Sequence, residues 1–380
     1  MVKRKCKVCG KEHPLISSYL GVCKDCLKDG KEEAINLARV AHQKSKECFG
    51  LPKQPPKSKD GIACKICGAE CIIGENRRGY CGLRWNKNGK LVSLVNDKQA
   101  LLHYYLDAHV TNCCNAWFCP AGTGDGYPRF AHKEHAEIGY YNLALFLYAC
   151  NFDCMYCQNW SHKNLKEGNI VSIDELVNYT LENKRISCWC WFGGSPEPQL
   201  PFTINAGKRL VEEKGERIMR ICYEWNGYGN PKLVERAGEL SYITGGNVKF
   251  DLKAFNENIH IALTSLSNKR TLKNFELLFN KFYERRKELP FLGATTLLVP
   301  YYVDEEEVEG IAKFISSLDE NIPYSLLVFH PDYMMRDLPI TSKEQVMRCY
   351  YAAKKHLKRV YIGNIGLLGM SESIKDYKIL

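Results

Sequence analysis

From Tyr141 onward the hydrophobic positions follow two rhythms in turn. Short apolar runs at 142–149, 187–192, 217–223, 247–252, 293–299 and 324–329 have the length and composition of buried parallel strands. Stretches with a 3.6-residue apolar period follow them, at 173–183, 203–214, 231–240, 270–286, 304–318 and 342–357. Asp174 and Glu175 suit the N-terminus of the first of these helices. Residues 359–363 have the character of one more strand. Repeated strand-then-helix units predict an α/β fold with a parallel sheet and right-handed crossovers. Six repeats fall short of a closed eightfold ring, so a partial (β/α)6 barrel is expected, with an open doubly wound sheet as the alternative.

Ahead of Tyr141 the pattern changes. Ala34, Leu37, Ala38 and Ala41 recur at helical spacing within 31–48, with Glu32 and Glu33 in the first turn. Pro52, Pro55 and Pro56, interleaved with lysines, oppose helix and hairpin alike. The expected units are therefore a small knuckle plus helix at 1–49, a linker at 50–60, a cysteine-rich region at 61–140 and the barrel at 141–380. A short strand is expected at Leu91–Val95, after the Asn88-Gly89 turn. Residues 103–140 combine Cys113, Cys114 and Cys119 with His103, His109, His132 and His135 and a glycine-rich run. They read as a structural loop, with a third metal site or a ligand-binding segment as alternatives. A loop of this length is expected to lie over an active site.

The composition is that of a globular protein, 45% hydrophobic and 25% charged over 380 residues. No apolar stretch reaches membrane-spanning length, and no hydrophobic segment follows the charges of Met-Val-Lys-Arg-Lys-Cys. A cytoplasmic protein without membrane attachment is the expectation. The formal charge is +10, and residues 1–60 hold 14 Lys/Arg against 7 Asp/Glu. That excess reads either as solvated lysines or as a contact with an acidic partner or nucleic acid.

Nineteen cysteines change the picture more. Without a secretory signal, clusters at C-x2-C spacing suit metals better than disulfides. Cys6, Cys9, Cys23 and Cys26 have zinc-ribbon spacing, and four thiolates make a closed site, so structural zinc is expected, with a rubredoxin-like iron as the alternative. Cys64, Cys67, Cys71 and Cys81 suit either zinc or an auxiliary iron–sulfur cluster, and the spacing does not decide. Cys188 and Cys190 alternate with Trp189 and Trp191 and read as buried thiols. Cys222 is placed to point into a cavity. Cys150, Cys154 and Cys157 form a C-x3-C-x2-C array. Three thiolates cannot complete a four-iron cluster, so one iron is left open to a small ligand.

That array, with Tyr156 before its last cysteine, resembles the signature of the radical S-adenosylmethionine enzymes. The resemblance implies a [4Fe–4S] cluster whose open iron binds the amino and carboxylate groups of S-adenosylmethionine. It also implies reductive cleavage to a 5′-deoxyadenosyl radical that abstracts a hydrogen atom. Further segments resemble pyruvate formate-lyase activating enzyme-like proteins. Gly193-Gly194-Ser195-Pro196 is similar to their Gly-Gly-Glu-Pro turn, with Ser195 in place of Glu. Tyr223-Glu224-Trp225-Asn226-Gly227 is similar to an acidic-Thr-Asn-Gly segment, with Trp225 in place of Thr. Asp251-Leu252-Lys253 and His330 match two more. By this resemblance the adenine lies near Tyr156. Gly193, Gly194, Ser195, Glu224, Asn226, Asp251, Lys253 and His330 then surround the rest of the cofactor. An electron donor such as a ferredoxin or flavodoxin is implied. The expected substrate is macromolecular: a protein glycine, as for glycyl-radical-enzyme activases, or alternatively a peptide or RNA. The rival from another class is a zinc-ribbon scaffold without catalysis. If the knuckle recruits substrate, deleting residues 1–55 is expected to spare cofactor cleavage.

Overall fold

The structure is a computed structural model and describes residues 3–286 and 289–369. The tail 370–380 of the expected barrel unit lies outside the described residues. Among these, one sheet of nine strands dominates. From one edge its order is Val360–Gly363, Tyr324–Val328, Leu292–Leu298, Val248–Asp251, Arg220–Trp225, Ile186–Gly193 and Tyr141–Leu147, each parallel to its neighbour. The helices Ile173–Glu182, Leu200–Glu213, Pro231–Thr244, Lys269–Phe282, Glu305–Ser316 and Lys343–Lys354 fall between or after these strands. Strand alternation divides the sheet's two faces. On Ile186–Gly193, Trp189 and Trp191 are fully buried, and Trp191 packs on Phe202 of the next helix. Cys188 and Cys190 therefore take the opposite, inner face.

Three features depart from the sequence reading. Gln99–Ala108 adds an antiparallel strand beside Tyr141–Leu147, and Asn169–Ser172 pairs with it at the edge. A helix, Glu257–Thr264, follows the fourth parallel strand, its start capped by the Asn256 side chain. The loop after residue 108 does not cover the strand C-termini. It plugs the barrel from the other end: Asn115 bonds Asn247, Glu137 pairs with Arg220, and Trp117 bonds Ser325, all at or next to strand beginnings. Charge and geometry fix this plug. Arg220 reaches both Glu137 oxygens, at 2.7 and 2.5 Å, and also Ser187. Burial would raise the Glu137 carboxyl, but the Arg220 bonds and charge hold it down to about 2.

The N-terminal units pack onto this barrel. The Asn88-Gly89 turn closes a hairpin of Arg84–Lys87 with Lys90–Ser93. Ser58 and Pro56 bond the backbone of Ile72, tying the second half of 50–60 to the cysteine block. Tyr302 receives the Ser17 N–H and donates to the Val22 carbonyl, and Lys24 pairs with Asp304. Much of the knuckle's basic charge thus meets acids of the same chain: Arg4 meets Asp337, and Lys28 meets Glu306.

Candidate active site

The loop that carries Cys150, Cys154 and Cys157 leaves the strand Tyr141–Leu147 through Ala149, which has φ +72°. Its backbone is held from behind. The N–H groups of Asp153 and Met155 donate to Thr264 and Leu263, carbonyls at the C-terminal end of Glu257–Thr264. At its centre Asp153 is fully buried. Ser45 donates to one carboxylate oxygen at 2.9 Å, Lys163 forms an ion pair with that same oxygen, and His42 Nδ1 lies 3.0 Å from the other. Burial opposes its ionised form, yet the Lys163 charge and the His42 bond hold it well below the usual carboxylate range. The loop is therefore preset by remote residues.

The three cysteines line one wall of a cavity of about 440 Å³, a volume in the range of cofactor-sized sites. Burial pushes the Cys150 and Cys154 thiols up to about 12 and Cys157 to about 11. Each keeps its proton at neutral pH until a metal displaces it. The C-terminal ends of neighbouring strands supply the other walls, where such folds place their chemistry. Gly193 and Gly194 fold back on the loop: Gly194 N–H donates to Leu147, Ser195 N–H to Ala149, and Asn159 to the Gly193 carbonyl. Gly193 has φ +107°, and a Cβ on Gly194 would meet the Ala149 oxygen at 2.1 Å, so both positions exclude side chains. Ser195 accepts the Asn226 N–H, joining two strand ends. Asn226 in turn donates to Asn151 at 2.7 Å and lies 3.7 Å from the Cys150 sulfur.

A row of charges lines the cavity beside the cysteines. Lys249 bridges Glu224 at 3.0 Å and Asp251 at 3.1 Å, and Lys253 meets Asp251 at 2.8 Å. Burial raises Asp251, but the two lysines bring it to about 2. Tyr156 lines the cavity too. Its hydroxyl and the Thr295 hydroxyl are buried without a protein partner on the cavity wall. Such orphaned polar atoms beside three thiols and paired charges fit a polar, zwitterionic ligand and a thiolate-bound cluster. Of the residues expected here, Tyr156, Gly193, Gly194, Ser195, Glu224, Asn226, Asp251 and Lys253 all line this cavity. His330 does not: it is half-buried outside the lining, its ring near the Pro331 carbonyl.

Sequence reasoning missed Lys249 and His162. The first was legible, because Lys249, Asp251 and Lys253 alternate along an extended segment and so share a face. His162 Nε2 lies 3.7 Å from the Cys157 sulfur, and no local pattern announced it. The plug also brings Cys113 and Cys114 to the cavity floor, and Cys113 donates to Glu224 at 2.7 Å. Below them Cys119, Cys188 and Cys222 join Cys113 and Cys190 around an adjoining small chamber.

Two further cysteine sets lie outside the cavity. The ligand atoms of Cys6, Cys9, Cys23 and Cys26 all lie within 4.8 Å of one another and could hold one metal ion. Cys9 and Cys23 sulfurs are 3.7 Å apart, close to the roughly 3.8 Å edge of a thiolate tetrahedron around zinc. Cys64, Cys67, Cys71 and Cys81 form the second set.

The radical SAM superfamily profile matches residues 145–315, which span the cysteine loop and four more of the parallel strands. The chain is 30% identical over 224 residues to a protein of Methanocaldococcus jannaschii provisionally named a glycyl-radical enzyme activating enzyme, covering 57% of this chain and 79% of that one. A second protein of that organism, uncharacterized, is 25% identical over 323 residues, 80% of this chain and 81% of its own. Among solved structures, a domain of pyruvate-formate lyase-activating enzyme from Bacteroides vulgatus aligns over 46% of this chain and 98% of its own, with 17% identity and a TM-score of 0.37. The chain belongs to the radical S-adenosylmethionine superfamily of enzymes. Within it the chain is similar to proteins named as activating enzymes of glycyl-radical enzymes. The family implies a [4Fe–4S] cluster and S-adenosylmethionine as cofactors. Among the described residues no helix is long and apolar enough to cross a membrane.

Proposed function

We propose that the chain abstracts a hydrogen atom from a protein substrate, in the manner of a glycyl-radical-enzyme activase. One observation carries this reading: three thiols on a preset loop face a polar cavity of cofactor size. Cys150, Cys154 and Cys157 would hold the [4Fe–4S] cluster, and the walls around Tyr156, Gly193, Gly194, Asp251 and Lys253 would hold S-adenosylmethionine. When bound, these groups supply a carbon-centred radical that removes a hydrogen atom. The protein's own residues do the rest. Lys253, set by Asp251, offers a fixed cation for a carboxylate. Gly193 and Gly194 let backbone atoms approach the ligand closely. Asn226 keeps the Cys150 sulfur oriented. The charges of Glu224, Lys249, Asp251 and Lys253 balance in pairs, so this wall has no net charge to steer small anions in.

A protein target and a reducing partner such as a ferredoxin or flavodoxin are supported by the names of the relatives, which are activating enzymes. A zinc ion at Cys6, Cys9, Cys23 and Cys26 is supported by the tetrahedral sulfur spacing. The test is the Cys154→Ala variant, reconstituted with iron and sulfide without oxygen and given dithionite and S-adenosylmethionine. Loss of 5′-deoxyadenosine formation is expected; formation at the unaltered rate ends the reading. Deleting residues 1–55 is a poor probe of substrate recruitment, because it removes His42 and Ser45 from Asp153.

A further inference from the structure

Beside the cavity the sheet has a stretch of border that no strand covers among the described residues. The Tyr148 N–H donates to the Leu101 carbonyl and the His109 N–H to the Tyr140 carbonyl. Odd-numbered residues of Gln99–Ala108 therefore turn their backbone groups toward Tyr141–Leu147. Even-numbered residues turn theirs the other way. On that side Asn169–Ser172 pairs with Gln99 to Leu102 and goes no further. Among the described residues, the N–H and C=O groups of Tyr104, Leu106 and Ala108 thus point outward without a protein partner. Natural sheets blunt such borders with lysine, proline or a covering loop. Residues 103–108, His-Tyr-Tyr-Leu-Asp-Ala, hold neither lysine nor proline.

This border belongs to the cavity. Tyr105 and Asp107 line the cavity from one side of the sheet, and Leu327 and Asn364 line it from the other. Asn364 directly follows the last strand, Val360–Gly363. A strand added along Tyr104–Ala108 would stand at the seam between them, and its residue set beside Tyr105 would share that inward face. A glycine there turns an α-hydrogen, and no side chain, to the cavity. Tyr105 is 47% exposed and meets Phe192 edge-on at 6.5 Å, which gives an incoming chain an aromatic surface to cross. The Asp107 carboxylate makes no hydrogen bond or ion pair among the described residues, and burial with the Glu224 charge nearby pushes it up. A basic side chain on the added strand would relieve it. A second copy of the chain would instead bring the same acid to the border.

We infer that an extended segment of the protein substrate adds to the sheet along Tyr104, Leu106 and Ala108 by main-chain hydrogen bonds, and that Asp107 selects a basic side chain within it. The inference rests on the proposed function for the substrate's being a protein; the border and its unpaired groups do not depend on that reading. Each new hydrogen bond replaces one to water, so the pairing alone binds weakly, and the side chains at Tyr105 and Asp107 supply selectivity. Strand addition also fixes register. A slip of one residue turns every inward position outward, so one set of substrate residues is shown to the cavity and its neighbours are not.

The test uses the full chain and a phage-displayed library of random decapeptides. Peptides selected on it should carry Lys or Arg and should slow amide exchange at Tyr104, Leu106 and Ala108. Methylating alternate backbone nitrogens along the pairing edge of such a peptide should abolish its binding. Leu106→Pro removes an outward N–H and leaves the pairing with Tyr141–Leu147 in place, because Leu106 turns its backbone away from that strand. Binding to that variant should weaken about tenfold. Asp107→Lys should turn the selection toward acidic peptides, and it decides the matter if Leu106→Pro does not fold. Undiminished binding of the methylated peptide, unchanged exchange at the three amides, or a library that yields no peptide sensitive to either variant overturns the inference. So does a dimer that Leu106→Pro dissociates, which assigns the border to a second copy. Random RNA oligonucleotides that displace the peptides overturn it in favour of nucleic acid. None of these readouts uses the cluster, so a Cys154→Ala variant that still forms 5′-deoxyadenosine ends the radical reading alone.

Discussion

The knuckle at Cys6–Cys26 and the loop at Cys150–Cys157 solve opposite problems with the same side chain. In the knuckle the four sulfurs converge, and the ligands lie on two turns and a short helix with little core of their own. The thiols differ there: burial would raise Cys6, but N–H groups from the Cys9, Cys23 and Val8 backbone bring it down to about 6. Cys23 and Cys26 are raised by burial. A metal ion held there would finish such a site. In the loop the order is reversed. His42, Ser45, Lys163, Thr264 and Leu263 set the backbone, and the three sulfurs are left facing open volume. Where metal serves structure, it organises the protein; where it serves chemistry, the protein is organised in advance.

The strongest way to break this contrast is Asp153→Ala. It strands Lys163 in a buried position, which costs about 3–5 kcal/mol. Urea unfolding should show that loss, and iron retention should fall with it, while the knuckle's metal stays. A smaller effect should follow acid. Glu137 is lowered from 4.5 in the fold to about 2, so its share of stability is complete above pH 4.5 and drains as pH falls toward 2. Thermal unfolding of Glu137→Gln should therefore lose most of that acid dependence and start from a lower plateau. Smallest of all, Lys28→Ala removes an exposed pair with Glu306 and should shift stability by no more than about 1 kcal/mol, measured by urea titration. A larger shift would mean that the knuckle depends on its docking charges and not on its metal.

Much of this was legible in the chain. The parallel strands announced themselves because both of their faces are buried, and the helices because one face is. The strand Gln99–Ala108 did not, since Tyr105 and Asp107 line the cavity and stay partly exposed, which blurs the alternation. The helix Glu257–Thr264 is short, and its cap at Asn256 sits among polar residues that read equally well as a turn. The position of the plug could not be read at all. Whether Cys113 lies above or below a barrel depends on partners such as Arg220 and Asn247, more than a hundred residues away. His330 erred in the other direction: its place after a strand was right, and its side chain still fell outside the cavity.

The plug has a consequence for the order in which the molecule assembles. Trp117, from its middle, stacks on Tyr361 of the last strand with ring centroids 5.4 Å apart, and Arg359 lies over the same indole. The barrel's open seam is thus joined by a contact between an early segment and the final strand of the sheet. That segment leaves the ribosome long before its partner exists. The plug must wait, solvent-exposed and rich in cysteine, until nearly the whole chain has been made. Consolidation of the interior is therefore a late, long-range event, slow by its topology. Until it happens the plug's thiols are open to oxidation, so the reducing state of the compartment matters to this protein during synthesis as well as during catalysis.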